Sequence, residues 1–214
     1  MTRRATTSGK AAAPKRLAIF DYGAGNLHSL VKAISADDRY IAVETDIRAA
    51  TKADALVLPG VGAFGAAAAA MRGQQSYIRS ALADGLPCLG ICLGMQLLFD
   101  VSEESPGQGV GFIPGCVTRL TTSKVPHMGW NDIEWRGNGD TPGVDLQTAY
   151  FANAYVCEPV DHSPILAWTT HEHARFASIV RSGNTVGVQF HPEKSSSAGR
   201  EFINAVIEDL IGCE

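Results

Sequence analysis

The sequence predicts an α/β fold built on a doubly wound, mostly parallel sheet. In the first 100 residues, short apolar runs of strand type alternate with stretches whose apolar residues recur at helical spacing. Glycine-containing turns separate these segments, and after residue 101 the pattern changes to short strands and turns. The alternation favours a parallel sheet, and the later strands indicate an added antiparallel set.

The chain of 214 residues suits one domain with a sizeable core, or at most two small domains. Residues 1–15 are rich in Thr, Ala, Ser and basic residues, so we expect a disordered N-terminal extension before a single domain over residues 16–214. The first half predicts strands at 17–20, 40–43, 55–58 and 86–91, with helices at 27–34, after residue 64, at 75–83 and at 93–101. The second half predicts strands at 110–117, 131–135, 150–157, 165–169, 176–180 and 186–190, a hairpin turn at 182–184 and an amphipathic helix at 198–211.

Composition excludes several classes of function. The net charge of −4 gives no electrostatic basis for binding nucleic acid or an anionic membrane. No apolar run approaches the roughly 20 residues needed to cross a bilayer. The five cysteines are odd in number and scattered, so neither a disulfide framework nor a metal site is indicated, and a reducing cytoplasm is the expected location. We expect no cofactor, because the Gly-x-Gly after the first strand lacks the third glycine of a dinucleotide fingerprint.

Cys92 is the candidate nucleophile, because it follows a predicted strand and precedes a predicted helix. Gly90 and Gly94 flank it at two positions on either side. Such a turn needs glycines, since the backbone folds back sharply and side chains would clash. The new helix would direct free N–H groups and its dipole at the thiol and favour the thiolate. The alternative is a small buried structural cysteine.

A cysteine nucleophile needs a base, and His191 is the best placed of six histidines. It ends a predicted strand and is followed by Pro192, which stiffens the turn, and by Glu193, whose carboxylate could fix the imidazole tautomer. A surface His-Pro-Glu turn is the alternative. His171 and His173 are plausible metal ligands only with a third ligand, so we assign no metal.

Acyl chemistry at a cysteine also needs donors for the oxyanion. The backbone N–H of Leu93 on the first helical turn is one candidate. A second could come from the loop at a neighbouring strand end, formed by Gly60, Val61 and Gly62, where glycines let backbone approach a substrate. Gln96, one helical turn beyond Cys92, could address a polar substrate group, or it could be an ordinary surface glutamine.

Several motifs together resemble class I glutamine amidotransferases, and among them the glutaminase subunits of imidazole glycerol phosphate synthases. The class-level motifs are Gly90-Ile91-Cys92-Leu93-Gly94-Met95-Gln96 and His191-Pro192-Glu193. The narrower ones are the runs Asp21 to Asn26, Pro59 to Phe64, Pro126-His127-Met128-Gly129-Trp130-Asn131 and Phe190 to Ser195. The match extends from about Arg16 to the C-terminus.

The resemblance implies a flavodoxin-like glutaminase with a Cys92, His191 and Glu193 triad. It places the oxyanion donors on Val61 and Leu93, beside Gly60, Gly62 and Gly94, and glutamine binding on Gln96. It also implies that ammonia passes to a (β/α)8-barrel cyclase, which makes imidazole glycerol phosphate and an aminoimidazole carboxamide ribotide in histidine biosynthesis. Positions near that interface and along the ammonia path would be Asn26, His127, Met128, Trp130, Tyr155 and Lys194.

Two departures and two alternatives remain. The basic N-terminal tail lies outside the family pattern. Asn153 stands where the family usually has histidine, so a contact borrowed for that position is in doubt, though the triad is not. A glutaminase subunit of pyridoxal phosphate or anthranilate synthesis would share the triad but not the blocks at Pro126 and Phe190. A binding or stress protein of the same fold could keep a reactive cysteine without His-Pro-Glu or Gln96.

Overall fold

A computed structural model describes residues 13–23, 27–137 and 146–212 of the chain. The helices are α1 His28–Ile34, α2 Ile47–Ala50, α3 Phe64–Ala70, α4 Gln75–Ala83, α5 Leu93–Gln96 and α6 Ser196–Gly212, with a 3-10 helix at Pro192–Lys194. The strands are β1 Lys15–Phe20, β2 Arg39–Glu44, β3 Ala55–Leu58, β4 Cys88–Ile91, β5 Val101–Ser102, β6 Gly115–Arg119, β7 His127–Asp132, β8 Glu134–Trp135, β9 Thr148–Asn153, β10 Tyr155–Pro159, β11 Ile165–His171, β12 Ala174–Ser182 and β13 Thr185–Val188.

A mixed sheet organises the described part of the chain, with strand order β2-β1-β3-β4-β13-β12-β11-β8. The strands from β2 to β13 in this order pair in parallel, and those from β13 to β8 pair antiparallel. The predicted α/β class with added antiparallel strands is therefore confirmed. Since function gathers at the carboxyl ends of parallel strands, the ends of β3, β4 and β13 mark the place to examine.

Helices cover both faces of this sheet, as a doubly wound fold requires. One apolar cluster joins the sheet to α2, α3, α4 and α5, and the other joins it to α1 and α6. Six α6 residues are buried on the second face: Gly199, Phe202, Ile203, Val206, Ile207 and Leu210. None of the helices within the described ranges combines the length and apolar character needed to cross a bilayer.

The helix predicted over residues 93–101 is wrong in length, because α5 ends at Gln96. Leu97, Leu98 and Phe99 are fully buried, but their carbonyls accept hydrogen bonds from the backbone of a later segment. Val110 N–H donates to the Leu97 carbonyl at 2.7 Å, and Phe112 N–H donates to the Leu98 carbonyl at 2.8 Å. The same contacts explain why the strand predicted at 110–117 begins only at Gly115.

Two other predicted strands divide in the structure. The run at 150–157 forms β9 and β10, which break at Ala154 and belong to different small sheets, β7-β9 and β10-β6-β5. The run at 131–135 is split between β7, which starts earlier at His127, and β8. Apolar periodicity runs through the break at Ala154 because both sides are buried, and Phe151 and Val156 belong to the same apolar cluster.

The expected extension over residues 1–15 falls mostly on residues 1–12, which lie outside the described residues. Lys15 already belongs to β1, where it is the register partner of Arg39 on β2. Lys15, the last residue of the expected extension, is therefore part of the sheet.

Candidate active site

Cys92 lies in a sharp turn at the end of β4. Its backbone has φ 46° and ψ −103°, an unusual conformation for a residue with a side chain. A Cβ on Gly90 would lie 2.7 Å from the carbonyl carbon of Gly94, and a Cβ on Gly94 would lie 1.9 Å from the carbonyl oxygen of Leu58. Both flanking glycines are thus required by close backbone packing, which confirms the steric reasoning from the sequence.

His191 follows β13, the strand next to β4, and reaches the same edge of the sheet. Its Nδ1 lies 2.8 Å from Oε1 of Glu193, and the two side chains are 3% and 8% exposed. The imidazole also lies beside Cys92, because a Cβ on Gly60 would come close to both His191 Cε1 and Cys92 Cβ. His191 N–H donates to the Tyr150 carbonyl, and Ser195 Oγ donates to the His191 carbonyl at 2.7 Å. The His-Pro-Glu segment is therefore a buried, anchored element, and the alternative of a surface turn is wrong.

Two opposing effects determine the protonation of His191. Burial by itself lowers the pKa of the imidazole, but the hydrogen bonds and negative charge of Cys92 and Glu193 outweigh it and raise the pKa to about 9. An imidazolium at neutral pH beside a sulfur is the state that can stabilise a thiolate and then protonate a leaving amine.

We expect His191 to titrate with a midpoint near pH 9 and the Glu193→Gln variant to titrate at lower pH. The glutamine removes one of the groups that raise the pKa, so the imidazolium is lost earlier as pH rises. A ¹⁵N-histidine NMR titration of both proteins measures this, with His191→Ala assigning the signal. An unchanged or higher midpoint in Glu193→Gln would contradict the arrangement.

The loop after β3 lies directly over these groups. A Cβ on Gly60 would lie 3.0 Å from Cε1 of His191 and 3.1 Å from Cβ of Cys92, so a side chain here would push into the site. Gly62 has φ +117°, a conformation that favours glycine, and packs beside Leu93. The buried Tyr22 hydroxyl donates to the Pro59 carbonyl and fixes the start of the loop. The predicted oxyanion residues Gly60, Val61, Gly62 and Leu93 thus come together at Cys92.

Gln96 is buried on the other side of the turn. Its Nε2 donates to the Tyr155 carbonyl at 3.2 Å, and Asn153 Nδ2 donates to the same carbonyl at 3.1 Å. The position that departs from the family pattern therefore supports β10 beside Gln96 and makes no contact with the triad among the hydrogen bonds of the described residues. The two hydrogen bonds to the Tyr155 carbonyl hold the Gln96 side chain in place, one helical turn from Cys92.

The six expected interface positions differ in solvent exposure. Met128 and Trp130 are 62% and 55% exposed on β7, and Lys194 is also exposed. Tyr155 is half-buried. Asn26 lies outside the described residues.

His127 is buried, contrary to its expected place on a contact surface. It stacks on Phe151 and His171, with ring centroids 4.9 and 4.1 Å away. Burial, with His171 beside it, lowers the pKa of His127 to about 4. Successive side chains on a strand point to opposite faces. Because Met128 and Trp130 point outward, His127 points inward and packs against Phe151 and His171.

His171 and His173 each contact a backbone carbonyl with the imidazole ring. Their Nε2 atoms each lie 2.9 Å from a backbone carbonyl, that of Lys124 for His171 and that of Thr121 for His173. Within the described ranges, no group of three ligating side chains could hold a metal ion.

Sequence reasoning missed Gln189, which is fully buried beside the nucleophile. Its Nε2 lies 3.6 Å from the Cys92 sulfur. No sequence signal points to it, because its place follows from the pairing of β13 with β4. In that register Val188 is the partner of Ile91, and the residues that follow are Gln189 and Cys92.

Comparison with known proteins places this site in context. Residues 18–208 match the family model for class-I glutamine amidotransferases. The chain is 39% identical over 207 residues to the imidazole glycerol phosphate synthase subunit HisH of Acaryochloris marina, covering 91% of this chain and 94% of the relative. It is 42% identical over 188 residues to a HisH of Thermus thermophilus, covering 86% and 93%.

Solved structures agree on the fold. A crystal structure of a glutamine amidotransferase superposes with a TM-score of 0.71 at 18% identity, covering 92% of this chain and 99% of that one. The structure of PurLQS from Thermotoga maritima gives a TM-score of 0.69 at 19% identity, covering 93% and 100%.

Proposed function

Since this chain belongs to the class I glutamine amidotransferases, as a HisH-type glutaminase subunit of imidazole glycerol phosphate synthase in histidine biosynthesis, we propose that Cys92, His191 and Glu193 are its catalytic triad. The observation that carries this proposal is one buried imidazole that is hydrogen-bonded to a carboxylate and lies beside a cysteine. This is the arrangement that activates a thiol and then supplies a proton to the leaving group.

The chemistry follows from this arrangement. The Cys92 thiolate attacks the side-chain amide carbon of glutamine, and its electron pair forms the new C–S bond. The backbone N–H groups of Leu93 and Val61 stabilise the oxyanion, and His191 gives its proton to the departing ammonia. His191 then takes a proton from water, which attacks the glutamyl thioester and releases glutamate and the thiolate. Glu193 keeps the imidazole in the tautomer that faces sulfur.

Gln96 is the proposed contact for the polar groups of glutamine. Its Nε2 is occupied by the Tyr155 carbonyl, which leaves Oε1 to accept from a substrate amine or amide N–H. The hydrogen bond from Asn153 to the same carbonyl supports this orientation.

HisH proteins are synthase subunits, so this chain works with a partner subunit. We identify the partner as a (β/α)8-barrel cyclase that uses the ammonia to make imidazole glycerol phosphate. The exposed Met128 and Trp130 on β7 offer apolar area for a joint, and Trp130 is supported edge-on by Tyr150 at 6.3 Å. We place the reaction in the cytoplasm, whose reducing conditions suit the four described cysteines, all free thiols.

A cavity of about 250 Å³ lies beside Glu193 on the α1 side. Its lining includes Gly60, Val61 and Glu193 together with exposed Lys194. Ammonia released at Cys92 has to reach the partner subunit. Sealing matters because ammonia in water near neutral pH is mostly ammonium, a poor nucleophile.

We expect ammonia to reach the cyclase without mixing with solvent. The complex would receive amide-¹⁵N glutamine with excess unlabelled ammonium at a pH where free ammonia is scarce, and mass spectrometry would read the imidazole product. Sealed transfer gives product labelled almost entirely from glutamine. Trp130→Ala should still consume glutamine but lose more nitrogen to the medium. Label diluted in proportion to the bulk pool in the unsubstituted complex would contradict sealed transfer while leaving the triad untouched.

A further inference from the structure

Gln189 is a buried amide that the triad chemistry does not use. It follows β13, is fully buried, and is held by a hydrogen bond from its N–H to the Ser178 carbonyl at 2.9 Å. On the other strand, Cys92 N–H donates to the Val188 carbonyl at 2.7 Å. These backbone bonds fix the two residues side by side at the edge of the sheet.

The nitrogen and the oxygen of the Gln189 side-chain amide have different surroundings. Nε2 lies 3.6 Å from the Cys92 sulfur and donates to it, while Oε1 is buried without a hydrogen-bond partner among the described residues. A buried carbonyl oxygen without a hydrogen-bond partner lowers the stability of the fold, so the Gln189 amide is destabilising at this position. A polar group retained at such a cost beside a reacting atom indicates a role in that atom's chemistry.

We propose that Gln189 is a second hydrogen-bond donor to the nucleophile and, with His191, holds Cys92 as a thiolate. An N–H donor to sulfur becomes stronger as negative charge develops there. The helix after Cys92 has four residues, so its dipole supplies less of this stabilisation than the sequence indicated. Gln189 and His191 stand two positions apart on one extended segment and reach the sulfur as separate donors. This inference rests on the proposed role of Cys92 as nucleophile.

The test is the pH dependence of Cys92 alkylation by iodoacetamide in the full-length protein, read by mass spectrometry of the Cys92 peptide. Gln189→Met removes the donor and fills similar volume. We expect the alkylation midpoint to rise by about one pH unit and the rate at neutral pH to fall about tenfold. Gln189→Leu, an apolar variant of different shape, should shift the midpoint in the same direction.

A matched control is available on the same strand. Thr185 on β13 is also fully buried, and its hydroxyl has no hydrogen-bond partner within the described part of the chain. Its register partner is Cys88, at the far end of β4 from Cys92. Thr185→Val should leave the Cys92 midpoint unchanged. Because Gln189→Met removes an unpaired acceptor, its melting temperature should stay equal to that of the unsubstituted protein or rise. Lower reactivity without lower stability is a result that a purely structural glutamine would not give.

Other outcomes overturn the proposal in distinguishable ways. An unchanged midpoint in both Gln189 variants would show that the amide does not act on sulfur. A lowered midpoint would show that the amide is turned, with its oxygen accepting from the neutral thiol. Failure of the proposed function would look different, since the unsubstituted protein would then show no enhanced Cys92 reactivity at neutral pH at all.

Discussion

Replacing Cys92 with serine is expected to abolish glutamine hydrolysis, with a fall in kcat on the order of 10³-fold or more. Serine fits the turn, because the close contacts there involve the backbone of Gly90 and Gly94 and not the sulfur. A hydroxyl is a far weaker nucleophile than a thiolate, and His191 and Gln189 are placed to stabilise a charged sulfur. Fold and partner binding should therefore survive the change while the chemistry is lost.

Glutamate release measures this effect, with thermal unfolding and partner binding measured in parallel. Cys116→Ser is the matched control, since Cys116 is a half-buried cysteine on β6 outside the triad, and it should keep normal turnover. Near-normal glutaminase turnover in Cys92→Ser would show that another group is the nucleophile.

The second large effect is expected at His191. His191→Ala should lower kcat by about 10²- to 10⁴-fold, the range for loss of a general acid–base group. Glu193→Gln should cost less, because the carboxylate at 2.8 Å orients and charges the imidazole but does not itself transfer the proton. The order of the two losses is as informative as their size.

Steady-state glutamine hydrolysis of both variants decides this point. His173→Ala serves as control, because the His173 ring bonds to the Thr121 carbonyl, away from the triad, and its loss should be nearly neutral. Small and equal losses in His191→Ala and Glu193→Gln would remove the buried His-Pro-Glu segment from the mechanism.

The central turn could be predicted from the sequence because its causes are local. A strand pattern, a cysteine and two glycines in fixed spacing are all that the backbone around Cys92 needs, and the structure shows the expected close packing at Gly90 and Gly94. Most of the parallel part of the sheet was equally accessible, since β1, β3, β4 and β13 are short, largely buried runs with a turn at the end.

What could not be predicted depends on contacts between distant segments. The length of α5 is set by residues 110–113, whose N–H groups bond to the carbonyls after Gln96. The burial of His127 depends on its stacking against Phe151 and His171. Gln189 emerges as a neighbour of Cys92 only after β13 is paired with β4 in a defined register. Periodicity carries no information on which strand lies beside which.

The most direct measurement is covalent labelling by a chloroketone analogue of glutamine, read by peptide mass spectrometry. A catalytic thiol within a glutamine site is labelled selectively, and excess glutamine protects it. We predict one adduct, on Cys92, formed more slowly with glutamine present and absent in Cys92→Ser. Labelling of Cys116 instead, or labelling of Cys92 at a rate that glutamine does not change, would contradict Cys92 as the nucleophile of a glutaminase.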